Sequence, residues 1–416
     1  MPGNTSQVAV GRALMHYHQR VQTSPISGIQ AYCDRFSSGL TKDELSRMTT
    51  FAALLRSYRL RAGLGLRTFA GLIDERASTV SAIESQRRSP WRHPEILHRV
   101  AEVLGIAESS ELWGKICHLA QHPVEQNGKP SPADPERTLL WWWTTESAEP
   151  LDQDEITELA NFTNSSLASS PTVEANSHIH QELPALTELA IEWRVRRLLG
   201  RRNLQVAPGP IDVEAVLENE AGIRLEIVPG LIPRLSVKAC VVKSGDQVTF
   251  YIDRIIADSR PLASYRHLLA KCYAPASLWD ATDAAHAGAT WFQELRARED
   301  WPLTLRDCER FALALLLPAN PVLAGSESVY SEMVEQQGWV DAEVAAPWVR
   351  NQLAERFAVP PTLVHCRLVG WPCHLYGRIA QALAAQEPTL PPTDWIVDDE
   401  ELKQRTLFEL KAGQPV

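Results

Sequence analysis

The chain has 416 residues, a 44% hydrophobic and 22% charged composition and a formal net charge of −10. That length exceeds what one hydrophobic core usually supports, so two or more domains are expected, and the composition excludes global disorder. No apolar run approaches the ~18 residues of a membrane span, and the seven cysteines (Cys33, Cys117, Cys240, Cys272, Cys308, Cys366, Cys373) are scattered, odd in number and without a Cys-x-x-Cys pair, which points to a reducing cytosol rather than to disulfides or a cysteine-rich zinc module.

In chain order, residues 1–49 read as a helical N-terminal extension, with apolar spacing in VAVGRALMHYHQRV and no basic start followed by an apolar core of the secretory kind. Residues 50–120 hold short periodic segments separated by turns. Residues 121–184 are rich in Pro, Ser, Asn, Thr and acids and read as a linker, with Trp141-Trp142-Trp143 as an apolar patch that would dock on a neighbouring domain. Residues 185–386 open with ALTELAIEWRVRRLLG and PIDVEAVLENEAG, both helical. Then IRLEIV (223–228), VKACVV (237–242) and VTFYID (248–253) alternate or run β-branched around a Lys243-Ser244-Gly245-Asp246 turn, which predicts a small antiparallel sheet. Helices are predicted at 262–273, 304–317 and 346–357, and a tail over 387–416 ends in a short acidic helix. The predicted fold class is mainly α with a small antiparallel β-sheet (α+β), without an internal repeat of fixed period.

The acidic average hides a split. Residues 51–106 carry nine arginines (Arg56, Arg59, Arg61, Arg67, Arg76, Arg87, Arg88, Arg92, Arg99) against five acids (Asp74, Glu75, Glu84, Glu95, Glu102), a local charge of +4 that leaves −14 elsewhere. One basic module in an acidic chain is the electrostatic footprint of nucleic-acid binding. Within LRSYRLRAGLGLRTFAGLIDERASTVSAIESQRRSP (55–90), Leu64, Phe69, Leu72, Ile73, Val80 and Ile83 would be buried by two short helices joined by a tight turn. The second helix, opening near Arg76, would expose Ala77, Ser78, Thr79, Ser81 and Ala82 to a major groove, with Arg87, Arg88 and Arg92 beyond it on phosphates.

This stretch resembles the Xre/Cro-type helix-turn-helix without gaps from Leu55 to Ile106. The likeness is carried by Ala70, Ser78-Thr79-Val80-Ser81, Ile83-Glu84, Arg88-x-Pro90 and the closing EILHRVAEVLGI. Leu66 stands where such motifs often open with glutamine. The resemblance implies a homodimer on double-stranded DNA, with two half-sites about one helical turn apart.

Residues 185–372 resemble the ImmA/IrrE family of zinc metallopeptidases in the order of their features: Pro210-Ile211-Asp212-Val213, Ala221-Gly222-Ile223, the small sheet, a helix in the place of H-E-x-x-H, ERFALALLLP (309–318) and QLAERFAVPPTLVHCRLVGW (352–371). Two histidines four apart on a helix would face one metal, with the intervening glutamate as general base. Here His267 keeps the first position, Leu268 replaces the glutamate and Lys271 replaces the second histidine, whose ammonium cannot ligate zinc. Asp307 is the expected remnant of the third-ligand carboxylate, paired with His267 or Lys271.

The resulting expectation is a cytoplasmic DNA-binding transcriptional regulator. An N-terminal helix-turn-helix domain is joined to a C-terminal zincin-like pseudopeptidase domain without catalysis, metal or cofactor. That second domain would take a small-molecule or protein effector, with Lys271 or Arg266 as counter-charge, or serve as a dimer platform. The alternatives are an antitoxin-type interaction protein that regulates its own operon, and a peptidase that cleaves a repressor.

Overall fold

Two units emerge, Met1–Lys129 and Pro130–Val416, in a computed structural model that describes residues 49–91, 93–121, 137–145, 151–165, 187–200, 209–220, 222–278, 301–393 and 395. The N-terminal extension up to residue 48, Arg92 and the acidic end of the tail lie outside the described residues.

In the first unit, Thr50 caps α1 (Phe51–Arg61) by accepting the Ala53 amide at 3.2 Å. Gly65 leads into α2 (Leu66–Leu72), and Asp74 takes a left-handed backbone (φ 56°) that turns the chain into α3 (Ala77–Glu84). Pro94 starts α4 (Pro94–Val103) at a position that needs no amide hydrogen, and Gly105 (φ 64°) ends it; α5 (Glu111–Gln121) follows. Leu66, Phe69, Ala70, Ile73, Val80 and Ile83 close on Leu54, Leu55, Val100 and Ile116 as one buried set. Trp91 packs edge-on against Phe51 with ring centroids 6.2 Å apart.

The second unit begins earlier than the sequence pattern indicates. Arg137–Thr144, inside the expected linker, forms β1, and Gln153–Phe162 forms α6, opened by a reciprocal Asp152/Glu155 capping box. The Trp-Trp-Trp run is therefore strand, not a docking patch: Trp141 and Trp142 are almost fully buried. After α7 (Glu188–Gly200) and α8 (Val213–Glu218, capped by Asp212) come β2 (Ile223–Val228), α9 (Leu231–Leu235), β3 (Val237–Ser244) and β4 (Gln247–Asp253). The sheet order is β1-β3-β4-β2. β1–β3 and β3–β4 are antiparallel, but β2 runs parallel to β4, so the sheet is mixed rather than antiparallel. The reason lies in the connection. α9 and the chain around it carry β2 over to β3 on the far side of β4, and β3 then returns to β4 through the two-residue Gly245-Asp246 turn. Gly222 (φ 80°) is required at the mouth of β2, because a Cβ there would lie 2.4 Å from the Asp246 carbonyl oxygen.

Helices α10 (Arg254–Ser259), α11 (Leu262–Leu278), α12 (Trp301–Leu316), α13 (Ala319–Gln337), α14 (Ala342–Phe357), α15 (Pro361–Val369) and α16 (Leu375–Ala385) complete the unit. α11 packs on both β3 and α12, which holds one face of α11 beside the β1 edge of the sheet. Among the described residues, no single helix is long and apolar enough to cross a membrane.

Candidate nucleic-acid interface

The outward face of α3 is set by what its inward face must bury. Ala77, Val80, Ser81 and Glu84 fall at i, i+3, i+4 and i+7, a continuous helical stripe, and all four are buried. Ala77 (4% exposed) and Ser81 (2%) are thus core residues and not groove-facing ones. Their small side chains let α3 approach its neighbours closely. Leu66 is also fully buried, so this side chain serves packing. Ser78, Thr79 and Ala82 remain on the outside, half-exposed, flanked by exposed Arg76 at the N-cap and exposed Arg87 and Arg88 beyond the C-terminus.

Glu84 is held by Arg59 of α1. Nε donates to Oε1 at 2.8 Å and Nη2 to Oε2 at 2.7 Å, while Nη1 donates to the Leu64 carbonyl at 2.8 Å. Arg59 has 0% exposure, so it belongs to the scaffold and not to the basic footprint. This forked, desolvated pair fixes the C-terminal end of α3 relative to α1. Beyond it, Gln86 adopts a left-handed backbone (φ 60°) and the Arg88 amide donates to the Ala82 carbonyl at 3.0 Å. The chain therefore doubles back over the last turn of α3. Arg88 Nη1 reaches to 3.5 Å from Thr79 Oγ1, whereas Arg87 Nε donates to Ser85 Oγ at 2.8 Å.

In the second unit His267 and Lys271 also come together, on a carboxylate other than the expected one. Nε2 of His267 on α11 lies 2.8 Å from Oε2 of Glu309 on α12, and Lys271 donates to Glu309 Oε1. The expected partner, Asp307, is buried elsewhere, with Arg310 Nη1 3.8 Å from it. Residues two apart on a helix point about 200° from each other, so only one of 307 and 309 can face α11. Burial pushes the Glu309 carboxyl up, but the hydrogen bonds from His267 and Lys271 and their charges outweigh it and hold it at about 2. The Lys271 ammonium also sits 5.2 Å from the ring centre of Trp143 on β1.

This donor set does not fit zinc. His267 is spent on Glu309, one helical turn away stands the Lys271 ammonium, which cannot ligate zinc, and Leu268 is buried. Cys272 and Cys308, the soft donors nearest in sequence, are buried thiols whose pKa values burial pushes up. Among the described residues, no three His, Cys, Asp or Glu side chains gather as a metal site. Nor is Arg266 available as a counter-charge. It is buried and donates to the carbonyls of Ile211 (3.0 Å), Phe357 (3.1 Å) and Ala358 (2.9 Å), tying α11 to the start of α8 and the end of α14.

The sequence pattern missed three of these features: the Arg59–Glu84 pair, Glu309, and the return of Arg88 onto α3. Glu309 was within reach, since it lies in the same ERFALALLLP segment. No known family model, curated protein or solved structure matches the chain.

Proposed function

We propose that the chain is a DNA-binding transcriptional regulator that reads duplex DNA through α2 and α3, an Xre/Cro-like helix-turn-helix, and acts as a homodimer. The observation that carries this reading is α3 itself. It is a short helix whose large and charged residues are turned inward, whose outward face is small and polar, and whose two ends are flanked by exposed arginines. Small polar residues admit a helix to the major groove, and flanking guanidinium groups lie where phosphates run. The second unit we read as a degenerate ImmA/IrrE-like domain without peptidase chemistry, because an ammonium and a leucine stand at the positions of a ligand and a general base.

Titration of the full-length chain against duplex DNA at several salt concentrations tests the reading. Salt-dependent binding is expected. Arg76→Ala with Arg87→Ala should weaken every duplex alike and flatten the salt slope by about two units, since each phosphate contact contributes roughly 0.9. A chain that binds no duplex at low salt, or a double variant with an unchanged slope, overturns it. For the second unit, protein purified without chelator should carry far less than one zinc per chain. Stoichiometric zinc that disappears in His267→Ala would reverse that reading.

A further inference from the structure

Resting on that reading, we propose that Arg88 is not a phosphate contact but the residue that reads base identity, selecting guanine in the major groove. The outward side chains of α3 are Ser78, Thr79 and Ala82, which are short and cannot reach far into a groove from the helix surface. Arg88 supplies the missing reach. Its backbone is pinned to the last turn of α3 by the Arg88 amide to Ala82 carbonyl bond (3.0 Å), and the left-handed Gln86 reverses the chain there. From that anchor the side chain runs back toward the helix N-terminus, and its Nη1 lies 3.5 Å from Thr79 Oγ1. Thr79 and Ala82 are three apart and share one stripe of the helix. The guanidinium therefore lies over the face that would enter the groove. The methyl group of Ala82 leaves room for that path, which a longer side chain at 82 would occupy.

Arg87 makes the contrast. One residue earlier, it is held by Ser85 at 2.8 Å, past the end of the helix, where a phosphate contact belongs. A planar guanidinium that presents two parallel N–H groups matches the O6 and N7 acceptors of guanine, the one base edge in the major groove with two adjacent acceptors. Thr79 then acts as a positioning residue, limiting the directions in which the guanidinium points before DNA arrives.

The test uses the full-length chain and a pool of duplexes with randomised positions, followed by titration of selected duplexes. The wild-type chain is expected to enrich guanine at one position of each half-site. Arg88→Ala and Arg88→Lys should lose at least about tenfold of the preference for guanine there while other positions keep theirs. Arg87→Ala should weaken all sequences uniformly and leave the preference unchanged. Thr79→Val should broaden the preference at the same position and add nothing further in the Arg88→Ala background, whereas Thr79→Ser should retain it. If Arg88→Ala lowers affinity equally for all sequences and flattens the salt slope as Arg87→Ala does, Arg88 is a phosphate contact and the proposal falls while the DNA-binding reading stands. If the wild-type chain binds no duplex, both fall together. Because Arg88 and Thr79 lie outside the core, thermal melts of the variants should overlay the wild-type melt, and a displaced melt would overturn the outward placement on which the proposal rests.

Discussion

Replacing Arg59 by methionine keeps a packed stem and removes the guanidinium, leaving Glu84 desolvated against a helix that no longer pairs with it. Breaking one side of a buried pair typically costs about 3–5 kcal/mol. Arg59→Met is therefore expected to lower the unfolding free energy of the first unit by that order in chemical denaturation, and the proposed DNA binding would be lost only through unfolding. Replacing both partners by apolar residues of similar size should recover much of the loss. Glu309 behaves differently because it is only half-buried. Its folded pKa of about 2 lies below the ordinary 4.5, so its stabilising contribution is present above about pH 4.5 and is lost as the pH falls toward 2. Unfolding measured across that window should show a shallower acid dependence for Glu309→Gln than for the wild-type chain. Identical slopes would mean that the His267–Glu309–Lys271 cluster contributes nothing to folding.

Two corners between helices, α2 to α3 and α14 to α15, share one backbone device. Asp74 (φ 56°) and Ala358 (φ 50°) are both left-handed residues that end a helix. Each is followed by a residue whose amide bonds back to an alanine carbonyl five residues earlier: Glu75 to Ala70 at 2.8 Å, and Val359 to Ala354 at 3.0 Å. Left-handed backbone penalises a branched side chain most. Asp74→Val is expected to cost about 1–2 kcal/mol in chemical denaturation, while Asp74→Gly should sit near or above the wild-type stability. The large apolar positions of α3 and the three predicted strands were legible because Val, Ile, Leu and Phe announce a buried face by their spacing. Ala77 and Ser81 were not, because small residues fit either face, and only the four-residue stripe with Glu84 shows where they point. The parallel pairing of β2 with β4 was illegible for another reason: alternation marks a strand but says nothing of its direction. β1 was hidden by its Pro- and Ser-rich surroundings and by a pairing partner far along the chain.

At the scale of the whole chain, β1 decides where the second unit can be cut. A fragment of residues 130–416 is expected to fold and melt cooperatively. A fragment of 185–416 lacks the strand that covers β3 and should expose that edge to other molecules. Light scattering should separate the two, with the shorter fragment aggregating; equal behaviour would mean that β1 is dispensable.

The pairing of Trp142 with Cys240 also sets a clock on the ribosome. The first unit is built from helices that are neighbours in sequence, so it can fold soon after it emerges. The strand with three tryptophans emerges next, and at ~5–20 residues per second the β3 edge it needs follows roughly 5–20 seconds later. During that interval the nascent chain presents its tryptophan-rich strand before the β3 edge that covers it has emerged. Synthesis of this protein therefore includes an interval, placed after the first unit has emerged, in which β1 waits for the β3 edge that it pairs with.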